Sequence, residues 1–517
     1  LPTPGGRMAR PFIRSVASVV DTTFDGLVLV SCFSRNVEEF ASLGPLGDEV
    51  KDFLKAHQNA TSTANLLRVP TNVAPTGRLI VSGTGPVTRD FDDVRRFQTA
   101  AKNGIKLARS VGMRRPIFVT TPNPRFPQAE LVSALGALGP FYSPLNVREE
   151  EPENTDSFIG LFPVLDKDLV DKVHYFEQAF TVCRDIGEQG PERMAPPRVA
   201  DYIRESFGNS SNIKLEIEDD QDVILREYPL MHAVNRCANT VPEHQARLIR
   251  LEYTGEGPIE KTFFLVGKGV TLDTGGCDLK ISGHMFGMCR DKYGSAVVAG
   301  FFKALEHFKP KNIKVVGYMC MVRNSIGARA YTCDEVIKSR SGKRIHIYNT
   351  DAEGRITMLD PLTKAKDEAK HEKNPHLMTL ATLTGHEILS YGYYATMMDN
   401  GPAKKDGLSR ALQAFGDEYG QPIEISRLHP EDYTFHLAEC PQADIRQGNT
   451  KPSVQTLRGH QTPAAFLIMA SGIDQHGTDS EHPLKFTHVD MGGCEGDHPD
   501  TSFPNPLVTL VAGLILH

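Results

Sequence analysis

Short apolar runs alternate with helical stretches over the first third of the chain. Residues 27–33, 78–82, 117–120 and 158–165 read as strands, and 48–57, 90–111 and 128–138 repeat their apolar positions with a helical period. The acidic run 148–156 reads as a solvated loop. Residues 167–186 form a further helix with Leu169, Val173, Phe176, Phe180 and Cys183 on one face, and a Gly/Pro-rich stretch, 187–197, follows it. A fresh alternation then begins. Strands are predicted at 213–218, 246–253, 262–266, 313–321, 377–383 and 484–491, with a helix over 295–308 closed by Pro310. Such alternation predicts a two-domain α/β fold: an N-terminal mixed α/β domain (1–166), a linker helix with its Pro/Gly segment (167–197), and a second α/β domain (198–517) around a central mixed sheet.

Two stretches carry the chemistry. The strand 262–266 is expected to stop at Gly267-Lys268-Gly269 and give way to a loop holding Lys268, Asp273, Lys280 and Asp291. Ligands of open α/β sheets bind where strands end at their carboxyl edge. Some sixty residues on stands Asn349-Thr350-Asp351-Ala352-Glu353-Gly354-Arg355. Taken singly, an Asp among glycines is ordinarily a turn former and a Lys after a strand an ion-pair partner. The ensemble says more. In an extended segment Asp351, Glu353 and Arg355 share one face, and adjacent carboxylates repel unless a cation or proton compensates. Oxygen ligands with one amine and without Cys or His suit a pair of Zn, Mn, Mg or Co ions. Other hydrolase signatures are missing: His386-Glu387 lacks the second His of HExxH, and neither a GxSxG elbow nor a Walker A loop occurs. His284, the one histidine within the two stretches, reads as a structural residue.

Composition narrows the class. With 517 residues, 23% charged and 40% hydrophobic, the chain has the make-up of a globular protein with a large core. A net charge of -7 without a basic block makes nucleic acid an unlikely partner. Nine cysteines without CxxC pairs suggest reduced thiols and a cytoplasmic location. No signal peptide or membrane span is read in the sequence, and the apolar run 506–516 is too short to cross a bilayer. Leu1 rather than Met stands first, which leaves room for a processed leader.

VGKGVTLDTGG, the following Lys280 and Asp291, and above all NTDAEGR resemble the cytosol (leucine) aminopeptidase family, di-zinc metallo-aminopeptidases. The likeness extends over the second domain, through Ala381-Thr382-Leu383-Thr384-Gly385 and His488-Val489-Asp490-Met491-Gly492-Gly493. It implies that the second domain is catalytic and removes N-terminal amino acids from peptides with a free N-terminus. By the same resemblance Lys268, Asp273, Asp291 and Glu353 hold a tighter Zn, with Lys268 neutral. Asp273, Asp351 and Glu353 hold an exchangeable metal (Zn, Mn, Mg or Co). Lys280 polarises the scissile carbonyl, and a bicarbonate on Arg355 relays the proton from a metal-activated water. Met288, Asn349, Thr382, Leu383, Gly385 and Gly492 bind substrate, and the assembly is a homohexamer.

This chain departs from the family pattern at Cys277-Asp278 and at Lys292-Tyr293-Gly294. Glu495 stands where an apolar residue is commoner, which admits basic or polar first residues; a plain solvated loop over 494–500 is the alternative. Two competing readings remain at the level of sequence. One is a catalytically weak member serving as a structural or nucleic-acid-binding hexamer, which the intact ligand set and acidic balance disfavour. The other is a di-metal phosphoesterase, for which His ligands and a phosphate-binding cation cluster are missing.

Overall fold

The computed structural model describes residues 13–33, 43–151 and 157–517. The chain has two compact units. One takes in the described residues up to Gln178 together with Phe415–Gln421, the other Ala179–Ala414 and Pro422–His517.

The first unit is built on six strands, β1 (Ile13–Ser15), β2 (Gly26–Ser31), β3 (Ala64–Arg68), β4 (Arg78–Gly83), β5 (Pro116–Thr120) and β6 (Ile159–Leu161). Their order is β1-β6-β5-β2-β4-β3, parallel throughout except for β3 against β4. β2 and β5 are buried along their whole length, which is why they read as unbroken apolar runs rather than alternating ones. The predicted helices appear as Pro45–Ala56, Arg95–Ser110 and Ala129–Leu138. Two expectations need correction. The strand expected over 158–165 is only Ile159–Leu161. The acidic run opens inside a helix, Leu145–Glu150, in which Arg148 is buried; residues 152–156 lie outside the described part, as does Arg10. β1 and β3 carry no apolar period long enough to read.

The second unit has an eight-stranded mixed sheet. Its strands are β7 (Ile213–Glu218), β8 (Arg247–Thr254), β9 (Lys261–Asp273), β10 (Ile313–Asn324), β13 (Pro375–Ala381), β14 (Ala395–Asp399), β15 (Ile423–Ser426) and β17 (Lys485–Asp490). β11 (Val336–Lys338), β12 (Arg344–His346) and β16 (Ile445–Arg446) form a small separate sheet. The large sheet runs β15-β14-β17-β13-β9-β10-β8-β7, and β17, β13, β9 and β10 at its centre are mutually parallel. Their carboxyl ends therefore open on one side. β14 and β15 were not expected from sequence, being too short to carry a period.

β9 corrects the reading of its own glycines. It does not stop at Gly267-Lys268-Gly269 but continues to Asp273, so Lys268 and Asp273 are strand residues. The glycines serve close packing instead of a turn. A Cβ on Gly267 would lie 2.7 Å from the Cα of Ser295, so the helix Tyr293–Phe308 crosses directly over the strand. On the sheet, Phe264, Val266 and Val270 join Ile356, Leu359 and Leu362 of the helix Glu353–Ala369 in one core. The C-terminal run folds as a buried helix, Leu507–Val511. Among the described residues no helix is long and apolar enough to cross a membrane.

Candidate active site

Strand and helix ends bring the two charged stretches together. Lys268 points from the middle of β9, Asp273 ends that strand, and Asp291 closes the short turn Met288–Arg290 before the Tyr293–Phe308 helix. The second stretch is not extended, contrary to the sequence reading. Asp351 sits in a turn, while Glu353 and Arg355 form the first turn of the helix Glu353–Ala369. A carboxylate in that position is favoured by the partial positive charge of a helix N-terminus.

Lys268 Nζ donates to Asp291 Oδ1 at 2.6 Å and to the Thr382 carbonyl at 2.8 Å, and pairs with Glu353 Oε1 at 2.8 Å. Lys280 Nζ lies 3.0 Å from Asp273 Oδ2 and 2.5 Å from Asp351 Oδ1. Asp273, Asp351 and Glu353 each offer a carboxylate oxygen, all within 4.8 Å of one another. Asp291 Oδ2 and Glu353 Oε2 are buried and, among the described residues, have no hydrogen-bond partner. Buried oxygens of this kind, crowded and unpartnered, are what a divalent cation would satisfy. The residues present thus fit a metal centre.

The electrostatics agree. Burial, reinforced by Asp273, pushes the Asp351 carboxyl up to about 7, and burial raises Asp291 and Glu353 as well. Burial works against the ammonium groups of Lys268 and Lys280, but the surrounding carboxylates outweigh it and hold both pKa values above the ordinary lysine range. Arg355 is pulled down to about 10 by burial. Its Nε has no partner, and its Nη1 donates to the Gln447 carbonyl at 3.3 Å.

Every residue to which the resemblance gives a metal, catalytic or substrate role lines a single cavity of about 620 Å³. That includes Met288, Asn349, Thr382, Leu383, Gly385 and Gly492. Thr382 does more than line it, since its Oγ1 donates to Asp291 Oδ1 at 3.0 Å while its carbonyl holds Lys268. His284, read as structural, is exposed at the cavity rim.

Sequence reasoning missed the groups that fix these residues in place. Gln447 is buried and grips the Asp351 turn from both ends of its amide. Its Nε2 donates to the Asn349 carbonyl (2.7 Å) and the Ala352 carbonyl (3.1 Å), and its Oε1 accepts from the backbone N–H groups of Tyr348 and Asn349 (both 3.1 Å). Asn324, at the end of β10, donates to Asp273 Oδ1 at 2.8 Å and to the Thr350 carbonyl at 3.1 Å. The unusual Asp278 ties the two stretches directly, accepting from the Thr350 N–H at 2.7 Å. Asp490, ending β17, accepts from Thr384 Oγ1 at 2.7 Å and from the backbone N–H groups of Leu383 and Gly492 at 3.2 Å. Of these, Asp278 and Asp490 stood in stretches the sequence had flagged, though without this role.

Comparison with known proteins agrees with this arrangement. Residues 181–506 match the model of the cytosol aminopeptidase family, catalytic domain. A Caenorhabditis elegans protein, named provisionally as an aminopeptidase, is 66% identical over 511 residues, 98% of each chain. Among solved structures, the leucyl aminopeptidase of Trypanosoma cruzi is similar with a TM-score of 0.79 at 19% identity, covering 98% of this chain and 96% of that one. The bottromycin maturation enzyme BotP in complex with Mn is similar with a TM-score of 0.74 at 19% identity, covering 94% and 98%. At such identities these two structures speak for the fold. The family match and the nematode relative carry the assignment: the chain belongs to the cytosol aminopeptidase family and is a metallo-exopeptidase.

Proposed function

We propose that the chain removes the N-terminal residue from peptides at a two-metal centre. One cation would be held by Asp273, Asp291, Glu353 and Lys268, the last as a neutral amine once a dication offsets the carboxylates that keep it protonated, and a second, exchangeable one by Asp273, Asp351 and Glu353. Zn suits the first; Zn, Mn, Mg or Co suits the second. The observation that carries this reading is the meeting of Asp273, Asp351 and Glu353 oxygens within 4.8 Å, beside buried carboxylate oxygens that lack partners. When bound, the cation pair supplies Lewis acidity that makes water a nucleophile near neutral pH, and a bicarbonate supplies a proton acceptor.

The chain's own groups do the rest. Lys280 stays an ammonium and presents its charge where the oxygen of a scissile carbonyl turns negative. Arg355, with an unused buried Nε, would hold the bicarbonate. A free α-amine is a group that one of the cations would accept, which fits attack at the N-terminus alone. Met288, Leu383, Gly385 and Gly492 shape the space for the first side chain, and Asn349 orders the turn by accepting from the Asp351 N–H at 2.8 Å. The homohexamer implied by the resemblance belongs to the same proposal; light scattering would read a particle six times the 57.0 kDa chain.

The test is release of amino acid from an aminoacyl-anilide panel by chelator-treated protein, with and without added Mn or Zn. Turnover restored by metal is expected. Undiminished turnover in chelator, or none with any metal, would end the reading.

A further inference from the structure

Glu495 is the one acidic residue of the cavity that none of the proposed roles uses, apart from Asp278, which is engaged with Thr350. It follows β17 and lines the same cavity as Met288, Ile388 and Gly492. Its Oε2 is out of contact with solvent and, among the described residues, has no hydrogen-bond partner. Arg290, whose charge acts on Glu495, makes no hydrogen bond to it among the described residues: it donates to the Gly496 carbonyl at 3.2 Å and to the Asp500 carbonyl, and its Nε is left without a partner.

A second carboxylate stands behind. Glu387 accepts from Thr396 Oγ1 at 3.0 Å through Oε1, while its Oε2 is buried and unpartnered. Gly492 is what separates it from the cavity. A Cβ there would sit 3.0 Å from Glu387 Oε2 and 2.7 Å from the Thr384 carbonyl, so any larger residue would wall this carboxylate off. Glu495 Oε2 thus belongs to a cavity that Met288 and Ile388 also line, while Glu387, raised to about 10 by burial, lies behind Gly492 as a neutral acid and outside the lining.

An apolar first side chain would leave Glu495 Oε2 unsatisfied, at a real desolvation cost. A long side chain with a cationic end would lay its methylenes along Met288 and Ile388 and bring its donors to Glu495. We propose that Glu495 is a specificity residue that makes the first-residue pocket acidic and selects peptides beginning with lysine or arginine. This rests on the aminopeptidase reading of the cavity and names its substrate class.

The experiment separates the two. L-Lysine hydroxamate and L-leucine hydroxamate are titrated calorimetrically into the Mn-loaded full chain, and Lys-, Arg- and Leu-anilides are assayed in parallel. The lysine compound should bind about 10- to 150-fold more tightly, the range a hydrogen bond to a charged group provides. Glu495→Gln and Glu495→Met should each shrink that ratio at least tenfold with metal content retained, and Lys- and Arg-anilides should fall with it relative to the Leu-anilide. Tighter leucine binding in the wild type, or a ratio unmoved in both variants, overturns the proposal. Selective lysine binding without hydrolysis of any anilide would support the acidic pocket and overturn the catalytic reading instead.

Discussion

Lys268 Nζ and Glu353 Oε1 meet at 2.8 Å, one from the middle of the central strand and the other from the first turn of a helix that begins 85 residues later in numbering. Their contact joins the two charged stretches at the point where the sheet opens. Glu353 also contributes to the three-carboxylate cluster. Glu353→Gln preserves shape and removes the charge. Metal analysis should find both cations weakened, with bound metal dropping below one equivalent per chain. Two equivalents retained would contradict the shared-ligand assignment.

Lys280 and Arg355 are expected to separate chemistry from metal binding. Lys280→Met and Arg355→Ala should lower kcat by about 10²–10³-fold, the range seen when a preorganised charge or donor is removed from a developing oxyanion. Metal content should remain near that of the wild type. Parallel loss of metal and activity would assign both residues to the cation cage instead.

Gln447 makes four hydrogen bonds to the backbone around Asp351. Gln447→Ala leaves buried N–H and C=O groups unmet, and a loss of about 2–5 kcal/mol is expected from urea unfolding of the catalytic unit. Activity should fall as well, since the turn that presents Asp351 loses its brace.

His376 on β13 and His488 on β17 are buried, and burial pulls both down to about 3. Each ring has one nitrogen on a threonine hydroxyl of the other strand, His376 Nε2 on Thr487 and His488 Nδ1 on Thr379, both at 2.8 Å. The folded pKa lies below the unfolded value of about 6.5, so below that pH the unfolded chain takes up more protons. Stability is therefore complete above about 6.5 and is lost as the pH falls toward 3. Each histidine should cost about 2 kcal/mol by pH 5. His376→Asn and His488→Asn should flatten the difference between urea midpoints at pH 7 and pH 5.

Much of this was legible in the residues. The fully buried strands announced themselves as apolar runs, and the charged strings around Asp273 and Asp351 marked the cavity wall. What escaped had physical reasons. Gly267 looks like a stop because packing against Ser295 and turning a corner demand the same residue. Glu353 looks extended because a three-residue charge pattern cannot tell a strand face from a helix N-terminus. Gln447 and Asn324 act through single amides set in ordinary surroundings, and their value lies in partners far away along the chain.

β9 is paired with β10 as far as Asp273 and with β13 as far as Gly267, and Lys268 and Asp273 belong to it. Deuterium should reach their amides only through opening of the whole sheet, while residues 281–284, exposed at the rim, exchange early. The reacting groups thus inherit the stiffness of a strand at the centre of the sheet. Adjustment to differing peptides falls to the soft border around it.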